Sequence, residues 1–222
     1  FPKIYVVKII KFIIFSVLVF SCSTKKSVLY MQDLDNEKVY SINYEEYKIK
    51  VDDILKIDKN SMDPETDILF NPEGTTTNIG KEGLLYNGFQ VNLDGFIHFP
   101  IIGKIHVVGM TIDEVRNFLY NNVKESGILI NPSVDVKLLN AYFTIIGEIA
   151  NPGRYEYLKN NMNILEAIGM AGDLTINGMR TDIKLLREDE GKKSVHSIDL
   201  TSSNLLSNQN FQIFSGDIII VN

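Results

Sequence analysis

Residues 145–157 read "IIGEIANPGRYEY". An apolar run ends on Gly147. The pair Pro152-Gly153 follows, and then Arg154, Tyr155, Glu156 and Tyr157. Two short strands joined by a turn fit this order, with Pro152 fixing its own φ and Gly153 free to take a positive one. A glycine inside a strand, here Gly147, predicts a bulge or a close backbone neighbour. Downstream, "NILEAIGMAG" (163–172) opens on Asn163-x-x-Glu166, the start of a capped helix. Ala171-Gly172 suits a left-handed helix end.

The same order occurs earlier in the chain. "IIGKI" (101–105) is followed by Thr111-x-x-Glu114, a capping box, and by "TIDEVRNFLYNNVKE". The apolar stripe of that helix would be Ile112, Val115, Phe118, Leu119 and Val123. Two runs of strand, glycine, strand and capped helix predict tandem α+β units. A second echo frames them. "VDDILKI" (51–57) and "SGDIIIV" (215–221) each place an aspartate, Asp53 or Asp217, at the entry of an apolar strand. There a carboxylate can accept backbone N–H bonds within a turn.

The remaining segments fill in around these units. "YKIKVDDILKID" alternates from Tyr47 and reads as strand. Residues 60–83 carry Pro, Gly and a Thr run and read as a long loop. Asp94-Gly95 predicts a two-residue turn between "FQVNL" and "FIHFP". "PSVDVKLLN" is another strand. Residues 23–43 are polar and without period, and read as a tether or extended arm.

The first 26 residues have a different character. Lys3, Lys8 and Lys11 precede an apolar run from Phe12 to Phe20, then Ser21, Cys22 and the polar "STKK". This is the layout of a secretory signal. The run is far shorter than the roughly 20 residues that span a bilayer. Cys22 is the one cysteine in 222 residues, so an intramolecular disulfide and a cysteine metal cluster are excluded. A buried small residue, a reactive thiol and a modified anchor remain. The four residues Val19-Phe20-Ser21-Cys22 resemble a bacterial lipobox, with Val and a bulky Phe in its first two positions. That resemblance implies cleavage before Cys22 and acylation of its thiol. Cleavage would remove three lysines and no acid, taking the formal charge from −6 to −9. An acidic chain with no basic block argues against a nucleic-acid partner.

Sites for chemistry are sparse. His98, His106 and His196 are scattered, and no H-E-x-x-H, G-x-S-x-G or P-loop string occurs. Adjacent acids such as Asp52/Asp53 point to opposite sides of a strand. The chain is read as non-enzymatic, with no catalytic residue, cofactor or metal.

The segments in order resemble the polysaccharide export family of outer-membrane lipoproteins. "VNLDGFIHFPIIGKIHVVGMTIDEVRNFL" follows that family's G-x-I-x-x-P-x-x-G-x-I-x-V-x-G-x-T stretch, with Gly95, Pro100, Gly103, Gly109 and Thr111 in step. "GEIANPG", with "AIGMAG" at the right distance, resembles a soluble-ligand-binding β-grasp (SLBB) domain. The chain departs at Val51-Asp52-Asp53, where the family favours Gly-Asp, and at Asp173, where it favours Gly. The resemblance implies a signal peptide at 1–21 and a lipid-anchored arm at 22–45. It implies an export domain at 46–140, and an SLBB domain with a closing strand at 141–222. The fold class is α+β, two tandem small domains, the second β-grasp-like. Asp53, Gly95, Pro100, Gly103, Gly109, Gly147, Pro152, Gly153, Gly172 and Asp217 are then fold residues, and Cys22 is the lipidation site.

The same resemblance implies a homo-oligomeric ring on the outer membrane, its domains in the periplasm and polysaccharide passing through the centre. The partner would be an inner-membrane polysaccharide co-polymerase or chain-length regulator. Members that make their own membrane passage continue into an amphipathic helix. Whether residues beyond Asn222 or another protein would serve here stays open. The alternative is a periplasmic lipoprotein that binds a soluble carbohydrate without forming a conduit. Tyr142, Arg154, Tyr155 and Tyr157 would be its contacts, since aromatic rings stack on sugar faces. A lipid-anchored scaffold for protein partners is a third possibility.

Overall fold

The computed structural model describes residues 29–60, 83, 87–100, 102–127, 131–189 and 191–222. The signal segment, Cys22 and nearly all of the loop expected at 60–83 lie outside them. The alternation from Tyr47 is not one strand. Lys48 makes a lone bridge to Thr111, the chain turns at Val51 and Asp52, and β1 runs from Ile54 to Asn60. Asp52 takes φ 67°, a left-handed conformation that Asp tolerates better than most residues. β1 pairs with β2 (Phe89–Gln90), and its period of two buries Leu55 and Ile57.

The turn that follows is one residue longer than the Asp94-Gly95 pair predicts. Asn92 and Phe96 face each other across Leu93, Asp94 and Gly95, with Asn92 N donating to Phe96 O at 2.9 Å. Gly95 takes φ 84°, the left-handed third position of such a loop. The Asn92 side chain sets the length, since it accepts the amides of both Asp94 and Phe96, at 3.1 and 2.8 Å. β3 (Phe96–Phe99) then pairs with β4 (Gly103–His106).

α1 spans Ile112–Glu125, and both bonds of the Thr111–Glu114 capping box are made, at 3.2 and 2.8 Å. Val115, Leu119 and Val123 are buried, whereas Phe118 is 41% exposed. At 3.6 residues per turn, Phe118 lies about 100° from the centre of the stripe. β5 (Ser133–Leu138) returns along the free side of β1, giving a sheet of order β2-β1-β5. Ile49, Val91, Ile97, Phe99, Ile105 and Val107 complete this core.

The second unit has a core of its own. β6 (Tyr142–Gly147) and β7 (Gly153–Glu156) form a hairpin. β8 (Met162–Asn163) leads into α2 (Ile164–Met170), capped by Asn163 and Glu166 in the same two-way box. β9 (Ile183–Asp189) and β10 (Lys192–Ile198) form a second hairpin. Two 3-10 turns, Ser203–Ser207 and Gln209–Phe211, lead to β11 (Gln212–Ile213), which pairs with β8. The closing strand β12 (Ile218–Val221) inserts in the middle, parallel to β6 and antiparallel to β9. The order is β10-β9-β12-β6-β7, with α2 packed on one face through Ile164, Ala167 and Ile168. Two tandem α+β units, the second a β-grasp-like sheet around a short helix, make up the fold.

Gly153 opens β7 and does not use the positive φ expected of it. That conformation falls on Gly147, at φ 96°, where a Cβ would run into the carbonyl oxygen of Val221. The close neighbour is therefore the central parallel strand. The arm is not a free tether over 29–35. Met31 is buried in the second core, its N–H donating to Leu200 O at 3.0 Å, and Gln32 N donates to Thr201 O at 2.8 Å. Asp33 accepts the Ser202 hydroxyl and the Ser203 amide at the start of a 3-10 turn.

Candidate functional site

The two units meet where the two aspartate turns lie side by side. In each, a residue of positive φ (Asp52 or Gly216) precedes the aspartate. In each, the carboxylate accepts the amide three residues back. Lys50 N donates to Asp53 Oδ2 at 2.8 Å, and Phe214 N donates to Asp217 Oδ2 at 2.9 Å. The second carboxylate is also held by Arg187, whose Nη2 donates to Asp217 Oδ2 at 2.7 Å and to Gln212 O at 2.7 Å. The first takes the Tyr47 hydroxyl at 2.9 Å. Burial pushes the Asp53 carboxyl up to about 6, with the Lys50 amide and the Tyr47 hydroxyl pulling the other way. Burial and the neighbouring Asp53 charge push the Tyr47 hydroxyl up as well.

Further contacts fasten the junction. The Tyr47 ring lies 6.2 Å from that of Phe214. The Gln212 side chain makes two bonds with the backbone of Glu45, at 2.8 and 2.9 Å. Lys50 Nζ donates to Glu188 O at 2.7 Å. Asn140, in the linker, accepts from Ile54 N and donates to Asp52 O, both at 2.9 Å.

A cleft of about 250 Å³ opens beside this junction. Tyr44, Tyr47, Tyr157, Leu158 and Phe214 supply its apolar surface, and Glu45, Glu46, Asp113, Lys159, Asn160 and Asn161 its polar groups. A wider concavity of about 730 Å³ is lined by the Val51–Asp53 turn, Tyr142, Glu188 and Gly216. Rings beside amides and carboxylates suit a ligand with apolar faces and many hydroxyls.

The four expected ligand contacts are not gathered in one place. Tyr142 and Arg154 share the outer face of the sheet, the guanidinium 3.6 Å from the ring centroid. Tyr155 and Tyr157 are on the other side. Tyr155 stacks on Phe143 at 5.4 Å, its hydroxyl donating to Asn151 O at 2.6 Å, and Tyr157 packs on the same ring at 6.1 Å. Only Tyr157 of the four reaches the smaller cleft. Gly95, Gly103, Gly109 and Gly172 all have positive φ, Pro100 is exposed in a turn, and Pro152 is exposed before β7. Among the described residues, no three His, Cys, Asp or Glu side chains are grouped to hold a metal, and no helix is long and apolar enough to cross a membrane. Sequence reasoning missed Tyr47, Tyr44, Phe214 and Gln212. Their signal is the Asp53/Asp217 echo, which pointed to the turns they surround.

The chain matches the family of polysaccharide biosynthesis/export proteins over residues 42–139 and the SLBB domain over residues 141–221. It is 30% identical over 140 residues to the EPS I polysaccharide export outer membrane protein EpsA of Ralstonia nicotianae, covering 61% of this chain and 35% of that one. It is 29% identical over 139 residues to the protein of the same name from Ralstonia solanacearum, covering 60% and 36%. The matched stretch thus spans about a third of the length of these relatives.

Proposed function

The chain belongs to the polysaccharide export family, as an export domain followed by an SLBB domain, and from that premise we propose that it is an outer-membrane component of a polysaccharide export machine. The observation that carries this is the pair of tandem matches, 42–139 and 141–221, on two units that each close their own core. Cys22 is the lipid anchor and the two units face the periplasm. Copies assemble into a ring around a hydrated lumen, and an inner-membrane co-polymerase or chain-length regulator delivers the polymer. The part played is confinement and alignment rather than bond chemistry. A wet lumen lets a hydroxyl-rich chain pass without losing its hydration. The edge strands β7 and β10 carry backbone groups that a neighbouring copy can pair. Light scattering on the detergent-extracted, acylated protein tests the ring. A discrete multi-subunit mass is expected, and a monomer at all concentrations would end the conduit reading.

The junction cleft favours a second reading, a carbohydrate-binding lipoprotein without a conduit. Its ring-lined surface and polar rim support it. It requires a monomer whose Tyr44 and Tyr157 resonances move on titration with neutral oligosaccharides.

A further inference from the structure

The end of the second unit remote from the first carries uncovered aliphatic surface. Ile176 is 98% exposed, Leu29 56%, Met179 50%, Met170 43% and Ile146 42%. Hydrogen bonds gather their segments. Thr175 N donates to Glu148 O at 3.0 Å, Ala150 N to Asp173 O at 2.9 Å, and Met179 N to Asn222 O at 2.7 Å. The Tyr30 hydroxyl donates to Asp173. β6 starts at the linker from the first unit and runs toward this end, and β12 runs parallel to it. Single exposed aliphatic residues need no explanation. These five share one end, and charged groups among them are paired, Arg180 with Asp173 and Lys184 with Asp182.

The arm identifies what covers this surface. It is fixed here first, through Tyr30 and Met31, and reaches the junction with the first unit only at Glu45. From Cys22 to Tyr30 the backbone can extend at most about 28 Å. With an acyl chain on Cys22, the reading on which this inference rests, this end is the part of the described fold held closest to the lipid. We propose that it lies on the bilayer surface, with Ile176 and Met179 entering the headgroup–acyl boundary, and that the export domain hangs away from the membrane. Among the described residues the cations at this end, Arg180 and Lys184, are each paired with an aspartate, so the contact made by the fold itself is apolar and little affected by salt.

The chain has no tryptophan, so Ile176→Trp introduces a single reporter at a position too exposed to disturb folding. Leu93→Trp, at the 85% exposed turn before β3, is the control in the first unit. Both mature proteins are weighed by mass spectrometry for acyl chains. They are then bound to phosphatidylethanolamine–phosphatidylglycerol vesicles with brominated acyl chains. At position 176 emission is expected to shift to the blue and fall about twofold, as for a side chain held about 5–10 Å into the interface. Added salt should not reverse it, and the Leu93→Trp protein should be unaffected. An acylated, vesicle-bound Ile176→Trp protein with unquenched emission, or equal quenching at both positions, overturns the proposal. A mature chain without acyl groups refutes the anchor itself and the inference with it, and the mass tells these two failures apart.

Discussion

Gly147 and Gly103 have nearly the same backbone, φ 96° and 88°, but different surroundings. Around Gly103 a Cβ would meet open space, whereas at Gly147 it would strike Val221 O. Gly103→Ala should therefore cost only left-handed strain, about 1–2 kcal/mol. Gly147→Ala adds the separation of β6 from β12 and should cost at least about 3 kcal/mol. Urea unfolding of the two variants checks the order. Asp53 gives a pH signature. Its folded value, about 6, lies above the usual 3.8, so the native state holds more protons than the unfolded chain between them. Its contribution is complete below about pH 4 and is lost as pH rises through about 6, at most about 3 kcal/mol. Carboxylates held low by cations, such as Asp182 beside Lys184, act in the opposite sense but at lower pH. Asp53→Asn, which keeps an acceptor for Lys50 N–H, should flatten the stability profile between pH 4 and 6.5. An unchanged slope would sink this assignment. A glycine within a strand was legible because it is a local signal. The depth of Asp53 was not, because the Tyr47 that bonds it packs against Phe214, distant in the chain.

At the scale of elements, the helices were legible and the turns less so. Both capping boxes are written in four adjacent residues and both form. Thr111→Ala and Asn163→Ala should each cost about 1 kcal/mol, seen as faster amide exchange at Glu114 and Glu166. The stripe of α1 was overdrawn by one residue, because apolar type alone does not say which edge of a stripe faces the core. Phe118→Ala should change stability by less than about 0.5 kcal/mol, whereas Leu119→Ala should cost about 2–5 kcal/mol. Equal costs would mean that the helix is rotated from the orientation described. The Asp94-Gly95 turn was misread by one position because the Asn92 side chain, not the Asp-Gly pair, sets the loop. The sheet order, with β12 between β6 and β9, leaves no trace in local pattern, since β12 meets β6 across some 70 residues of chain and β9 across some 30.

At the scale of the molecule, the two units were legible as an echo, and the arm was not. A mixed polar stretch gives no sign that Met31 fills a core whose other members begin more than a hundred residues later. The docked arm makes a prediction that a loose tether does not. The two cores share no buried residue, so each unit can lose its amide protection separately. Met31→Ala should remove about 2 kcal/mol from the second unit alone. Protection should fall at Phe143, Ile145 and Leu185, in the core that Met31 joins, and hold at Leu55, Ile57 and Val136 in the other. Val39→Ala, at a position 91% exposed further along the same arm, should change neither. If Met31→Ala left protection in the second unit untouched, the arm would be a tether after all, and the membrane-facing orientation argued from its docking would lose its support. If protection fell equally in both units, the Gln212–Glu45 and Lys50–Glu188 bonds would have to couple them into a single cooperative body. Gln212→Ala would then be expected to restore their independence.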